Sequence, residues 1–150
     1  MIEAWFDGAC NNVGDKRSGY GALVKSDGMT IFRDYGFIGL GKDFSNNVAE
    51  YAGAIAVLRF FLKAGIQSAT VYGDSDLVCS QLSGTMKVKK GRYLPYYHEA
   101  KDLARQLPDI KFVWIPRAAN DEADELSQLG INSTTLVQII APSSTDLLFA

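Results

Sequence analysis

Histidine and cysteine are nearly missing from this chain, and their scarcity removes several chemistries at once. There is one histidine, His98, and there are two cysteines, Cys10 and Cys79. Two cysteines make no disulfide framework, and their distant placement matches no zinc motif. Both are expected to be small buried thiols, a disulfide between them being the lesser alternative. His98 lies among polar neighbours on a helix-like stretch and is not expected to be catalytic. No apolar run approaches the roughly 20 residues of a membrane span. Strand-like sequence begins at Ile2, leaving no room for a signal or transit peptide, so a cytoplasmic location is expected. An overall basic charge is lacking too: the net charge is −2 and the pI about 5.3. A polyanionic partner would therefore need local basic patches or bound cations. Repeats, low-complexity stretches and linkers are absent, and 150 residues fit a single monomeric domain.

What is present reads as alternating strands and helices. A first strand spans Met1 to Asn12, a second Ser18 to Ser26, and a third Thr30 to about Gly39. Asp27-Gly28 is a hairpin signal between the last two. Ser45 or Asn46 can cap a helix that runs to Ala64 and closes at Gly65. That helix is apolar nearly all round, from Val48 to Leu62, and Glu50 is its only acidic residue. Ala69 to Tyr72 is a fourth strand, followed by a helix from Ser75 to about Leu82. A loop with Lys87, Lys89, Lys90 and Arg92 forms the main basic cluster. Pro95 opens a helix to Leu107, with Tyr96, Ala100, Leu103 and Leu107 as an amphipathic stripe. Ile110 to Ile115 is a fifth strand; Asn120 can cap a last helix, ended by Gly130. The order predicts a mixed α/β sheet whose first and fourth strands are neighbours at a switch point, where ligands bind in such folds.

Four acidic residues fall near that point: Asp7, Glu50, Asp74 and Asp124. Each has a plain structural reading. Asp7 could form a turn with Gly8, Asp74 could cap the next helix, and Asp124 could be a first-turn acid. Glu50 could pair with a buried cation. Together they suggest more, because converging carboxylates repel unless protonated or bridged by cations. Hard oxygen donors in that number suit Mg²⁺ or Mn²⁺ rather than zinc.

The stretches Asp7-Gly8-Ala9-Cys10, Asn46-Asn47-Val48-Ala49-Glu50-Tyr51, Gly73-Asp74-Ser75-Asp76-Leu77-Val78 and Asn120-Asp121-Glu122-Ala123-Asp124-Glu125-Leu126 together resemble type 1 ribonuclease H over about residues 1–130. The resemblance implies a ribonuclease H-like fold, with a five-stranded mixed sheet in the order 3-2-1-4-5 flanked by helices. It implies hydrolysis of the RNA strand of RNA/DNA hybrids, leaving 5′-phosphate and 3′-hydroxyl ends. By it Asp7, Glu50, Asp74 and Asp124 ligate two Mg²⁺ ions, with Mn²⁺ as a substitute. By it, too, Cys10, Asn46 and Asn47 approach the substrate backbone in the minor groove, and Ser45 contacts a DNA phosphate.

The chain departs from the family pattern at three places. The loop Ile115-Pro116-Arg117-Ala118-Ala119-Asn120 lacks the histidine the family often carries, and is similar to the shorter archaeal-type form. Arg117 there is expected either to hold a phosphate or to form a structural ion pair. Val13 stands where an Asn is often found, and the basic protrusion of some bacterial members is reduced to Gly84–Arg92. Residues 131–150 lie outside the resemblance. Leu136 to Ile140 is expected to pack back on the domain, and the rival reading docks Leu147-Leu148-Phe149 on a replication partner. A non-catalytic binding module and a junction resolvase are the competing functional classes.

Overall fold

The structure is a computed structural model that describes residues 1–11 and 14–140. The expectations for Val13 and for Leu147-Leu148-Phe149 lie outside those residues.

The first three strands form a meander. β1 (Ile2–Cys10), β2 (Arg17–Ser26) and β3 (Met29–Leu40) pair antiparallel in sequence, and β2 is buried along most of its length between its two neighbours. Asp27 and Gly28 take φ of 48° and 83°, the two positive values that a tight two-residue hairpin needs. Helix α1 (Asn46–Ala64) leads to β4 (Ser68–Gly73), and α2 (Asp76–Ser83) and α3 (Leu94–Arg105) lead to β5 (Asp109–Trp114). A 3₁₀ turn at Arg117–Ala119 precedes α4 (Asp121–Ile131). The strand order is β3-β2-β1-β4-β5, with β4 parallel to both β1 and β5. This is the mixed sheet expected from the sequence, in the order that the resemblance implies.

Two helices cover opposite faces of the sheet's centre. Gly8 faces α1, and Gly21 faces α4; their places in the pairing put them on opposite sides of the pleat. The core lies mainly between α1 and the sheet, where Val48, Tyr51, Ile55, Leu58 and Phe61 meet Phe6, Val24 and Val71. α1 is bounded as its sequence suggests. Ser45 Oγ accepts from the Val48 amide, and Gly65 closes the helix at φ 72°.

The last helix departs from expectation. It does not end at Gly130 but continues to Ile131. A Cβ on Gly130 would lie 2.6 Å from the Gly36 carbonyl oxygen and 2.8 Å from that of Tyr20. The glycine therefore serves close packing of α4 on β2 and β3, not helix termination.

Beyond α4, the Val137 amide donates to the Phe37 carbonyl at 2.7 Å, and the buried Ile139 accepts from Arg59 at 2.6 Å. Leu136, bridged by its backbone to Phe37, is 62% exposed. Among the described residues no helix is long and apolar enough to cross a membrane.

Candidate active site

The site begins with a missing side chain. A Cβ on Gly8 would stand 2.2 Å from the backbone of Ala49 and Glu50. Without it, the second turn of α1 rests directly on β1, and this brings Glu50 to Asp7. On the other side of β1, Phe6 pairs in register with Gly73. The residues that follow, Asp7 within β1 and Asp74 just past the end of β4, therefore lie side by side. One carboxylate oxygen each from Asp7, Glu50 and Asp74 lies within 4.8 Å of the others. Asp124, in the first turn of α4, lines the same cleft but stands outside that group of three.

The plain readings of these acids divide. Asp7 lies inside β1, paired with Gly21, so it forms no turn, although its Oδ1 accepts from the Gly8 amide at 2.9 Å. Asp74 caps nothing: Ser75 is the N-cap of α2, its Oγ accepting from the Val78 amide. Glu50 has no ion-pair partner among the described residues. Asp124 does sit in a first turn, together with Asp121 and Glu122, so its plain reading stands beside the functional one.

Burial sets the electrostatics. Asp7 is 4% exposed, and desolvation pushes its carboxyl up to about 7, the charges of Asp74 and Asp124 adding to the rise. Hydrogen bonds from Glu50 and the Gly8 amide act against it. Glu50 is pushed well above the usual carboxylate range, by burial first and then by the Asp7 charge. Its Oε2 is buried without a hydrogen-bond partner among the described residues. A dense set of hard oxygen donors, no cationic side chain on Glu50 and one orphaned lone-pair site fit a divalent cation such as Mg²⁺ or Mn²⁺.

The cleft, of about 450 Å³, is also lined by Cys10, Asn46, Asn47 and Arg117, with Gly8, Ala9, Ser75 and Gln128. Arg117 makes no ion pair among the described residues. Ser45 lies outside this cleft; it lines an adjoining pocket with Lys16, Lys42, Cys10 and Asn46. Cys10 and Cys79 are both free. Cys79 is buried, and desolvation pushes its thiol up to about 12. Cys10 is only half-buried, which corrects the expectation for it: it stands at the rim, its Sγ 2.9 Å from Ser18 Oγ. His98 is exposed on α3 in edge contact with Tyr97 and does not line the cleft.

Asn120 stands at the N-cap position of α4, as the sequence suggests, but its side chain makes no capping bond, and the residue is buried at 1% exposure. Its Nδ2 donates to the Phe6 carbonyl at 2.9 Å and to Asp74 Oδ2 at 3.3 Å. An Asn before an acidic run reads as a cap, and only the tertiary fold reveals the other use. Trp114 also reaches the site, its Nε1 donating to the Asp74 carbonyl.

Residues 5–130 match the family model described as reverse transcriptase-like. A bifunctional protein of Mycobacterium tuberculosis is 42% identical over 111 residues, covering 73% of this chain and 30% of that protein. Ribonuclease HI of Halobacterium salinarum is 32% identical over 127 residues, covering 84% of this chain and 62% of that protein. The chain thus spans about a third of the first relative and less than two-thirds of the second. The Halobacterium crystal structure superposes with a TM-score of 0.77 at 29% identity, over 87% of this chain and 97% of that one. A ribonuclease H1 designated LC11, solved in complex with an RNA/DNA hybrid, gives 0.77 at 27% identity, over 88% and 97%.

Proposed function

This chain belongs to the type 1 ribonuclease H family, and on that premise we propose that it is an endoribonuclease hydrolysing the RNA strand of RNA/DNA hybrids. The observation that carries the proposal is the convergence of Asp7, Glu50 and Asp74 within 4.8 Å, with no cationic side chain paired to Glu50.

Asp7, Glu50, Asp74 and Asp124 would hold two Mg²⁺ ions, which Mn²⁺ could replace. When bound, such ions supply an activated water and neutralise charge on the phosphate and the departing 3′ oxygen. The carboxylates contribute by geometry and by proton release. Asp7, which ionises only near pH 7 in the metal-free protein, must be a carboxylate to act as a ligand. Burial and the hydrogen bond from the Gly8 amide hold its carboxylate in place, so this ligand is set before substrate arrives. The products carry 5′-phosphate and 3′-hydroxyl ends.

Recognition is assigned to the rim. Cys10, Asn46 and Asn47 face the hybrid's minor groove, where 2′-hydroxyls distinguish RNA from DNA without sequence readout. Ser45, which lines the adjoining pocket with Lys16 and Lys42, takes a phosphate of the DNA strand. Arg117, exposed and lining the cleft, is suited to a second phosphate contact. The protein is read as a cytoplasmic monomer. A substrate panel tests the proposal: in Mg²⁺ buffer the enzyme should cut the RNA of a labelled hybrid and leave double-stranded DNA intact. Tight hybrid binding with no cleavage would favour a binding module instead.

A further inference from the structure

We propose that Asn120 is a positioning residue that locks Asp74 into ligand geometry relative to Asp7 and Asp124; the inference rests on the metal-dependent reading above. Three carboxylate-bearing elements meet at this one residue. Its Nδ2 bonds the Phe6 carbonyl, the peptide just before Asp7, and also the Asp74 carboxylate. Its own carbonyl accepts from the Asp124 amide at 3.0 Å. A shift of Asn120 therefore moves β1, the end of β4 and the start of α4 against one another.

The chemistry explains why an amide stands here. Both acceptors are oxygens, so the position calls for a donor with two N–H groups. A Lys or Arg would supply them, but would set a positive charge beside the carboxylates and compete with a cation. An Asp or Glu would add a further repelling charge. The neutral amide orients Asp74 and leaves its negative charge for the ligand role. The same pair of acceptors fixes the amide's orientation, since the reverse would set Oδ1 against two oxygens.

That orientation is unfavourable in one respect. Oδ1 is left buried with no hydrogen-bond partner among the described residues. A group kept at a folding cost, in contact with a functional carboxylate, is accounted for by the site it serves. Trp114 holds Asp74 from the other end, through its carbonyl, so the residue is fixed at both backbone and side chain.

The test is Mg²⁺ and Mn²⁺ binding by calorimetry on the full chain without substrate, for wild type, Asn120→Ala and Asn120→Ser. Loss of an outer partner to a metal ligand weakens metal affinity by roughly 10- to 100-fold. Both variants should show that loss, with cleavage recovered at high Mg²⁺ and the KM for hybrid close to wild type. Unchanged metal affinity in a folded variant overturns the proposal. A second measurement needs no mutation. In wild type the Asn120 side-chain NH₂ signals should shift during an Mg²⁺ titration with the midpoint seen by calorimetry, and signals that stay fixed while metal binds overturn it. A wild type that binds neither ion removes the metal-dependent reading itself, and this inference with it.

Discussion

At the scale of single residues, the molecule is governed by carboxylates placed where carboxylates are unfavourable. Asp7 and Glu50 both ionise at higher pH in the folded chain than ordinary carboxylates do, chiefly because they are buried. The folded state therefore holds extra protons between roughly pH 4 and Asp7's value of about 7. In metal-free buffer these groups should cost stability progressively as pH rises through that window, and cost nothing below it. Asp7→Asn removes the charge and keeps the shape. It should abolish cleavage yet raise Tm at pH 8 without metal, by roughly 2–4 °C for each 1 kcal/mol relieved, with little change at pH 4. Melting curves of the two proteins at both pH values check this; an equal gain at pH 4 would show that charge is not the cause. Asp7, Glu50 and Asp74 were legible because each interrupts an apolar run or follows one, whereas Asp124, among Asp121, Glu122 and Glu125, carries no such signal. The role of Asn120 was not legible either, since it depends on β1 and β4, which are distant from it in sequence.

At the scale of elements, the site depends on how closely α1 lies against β1. Gly8→Ala would force a methyl into the backbone of Ala49 and Glu50. Overpacking of that kind costs about 1–3 kcal/mol and shifts backbone. The variant should lose most of its activity while remaining folded, measurable as kcat beside a thermal melt; wild-type kcat would contradict the close-contact account. A second device links α1 to the basic loop. Tyr51 bonds Gln81, Gln81 bonds Tyr93, and the Tyr93 hydroxyl accepts from the Lys89 amide and donates to its carbonyl. Tyr93→Phe should free the lysine-bearing segment and raise the KM for hybrid severalfold, leaving kcat near wild type. Steady-state kinetics at two salt concentrations decide it, since lost phosphate contacts flatten the salt dependence. Helix ends were only partly legible. Ser45 and Gly65 behave as their types suggest, whereas Gly130, read as a terminator, is a packing glycine whose neighbours on β2 and β3 no local pattern reveals.

At the scale of the whole molecule, connection handedness was enough to expect a mixed sheet with β1 beside β4, whereas the full order came from the resemblance to ribonuclease H. The segment after α4 is a matter of tertiary packing. Its described part adds a bridge to β3, a bond from Arg59 to the Ile139 carbonyl and a bond from Arg17 to the Ser133 carbonyl. A chain ending at Asn132 should therefore melt lower, and an unchanged Tm would show that the segment contributes nothing to the domain. The central claim, that clustered carboxylates hold divalent cations to cut RNA paired with DNA, is tested most directly by cleavage of a labelled hybrid during a Mg²⁺ titration. The account predicts no cutting in chelator, cutting that rises with Mg²⁺, and products bearing 5′-phosphate and 3′-hydroxyl ends. Cleavage that persists in chelator would contradict it.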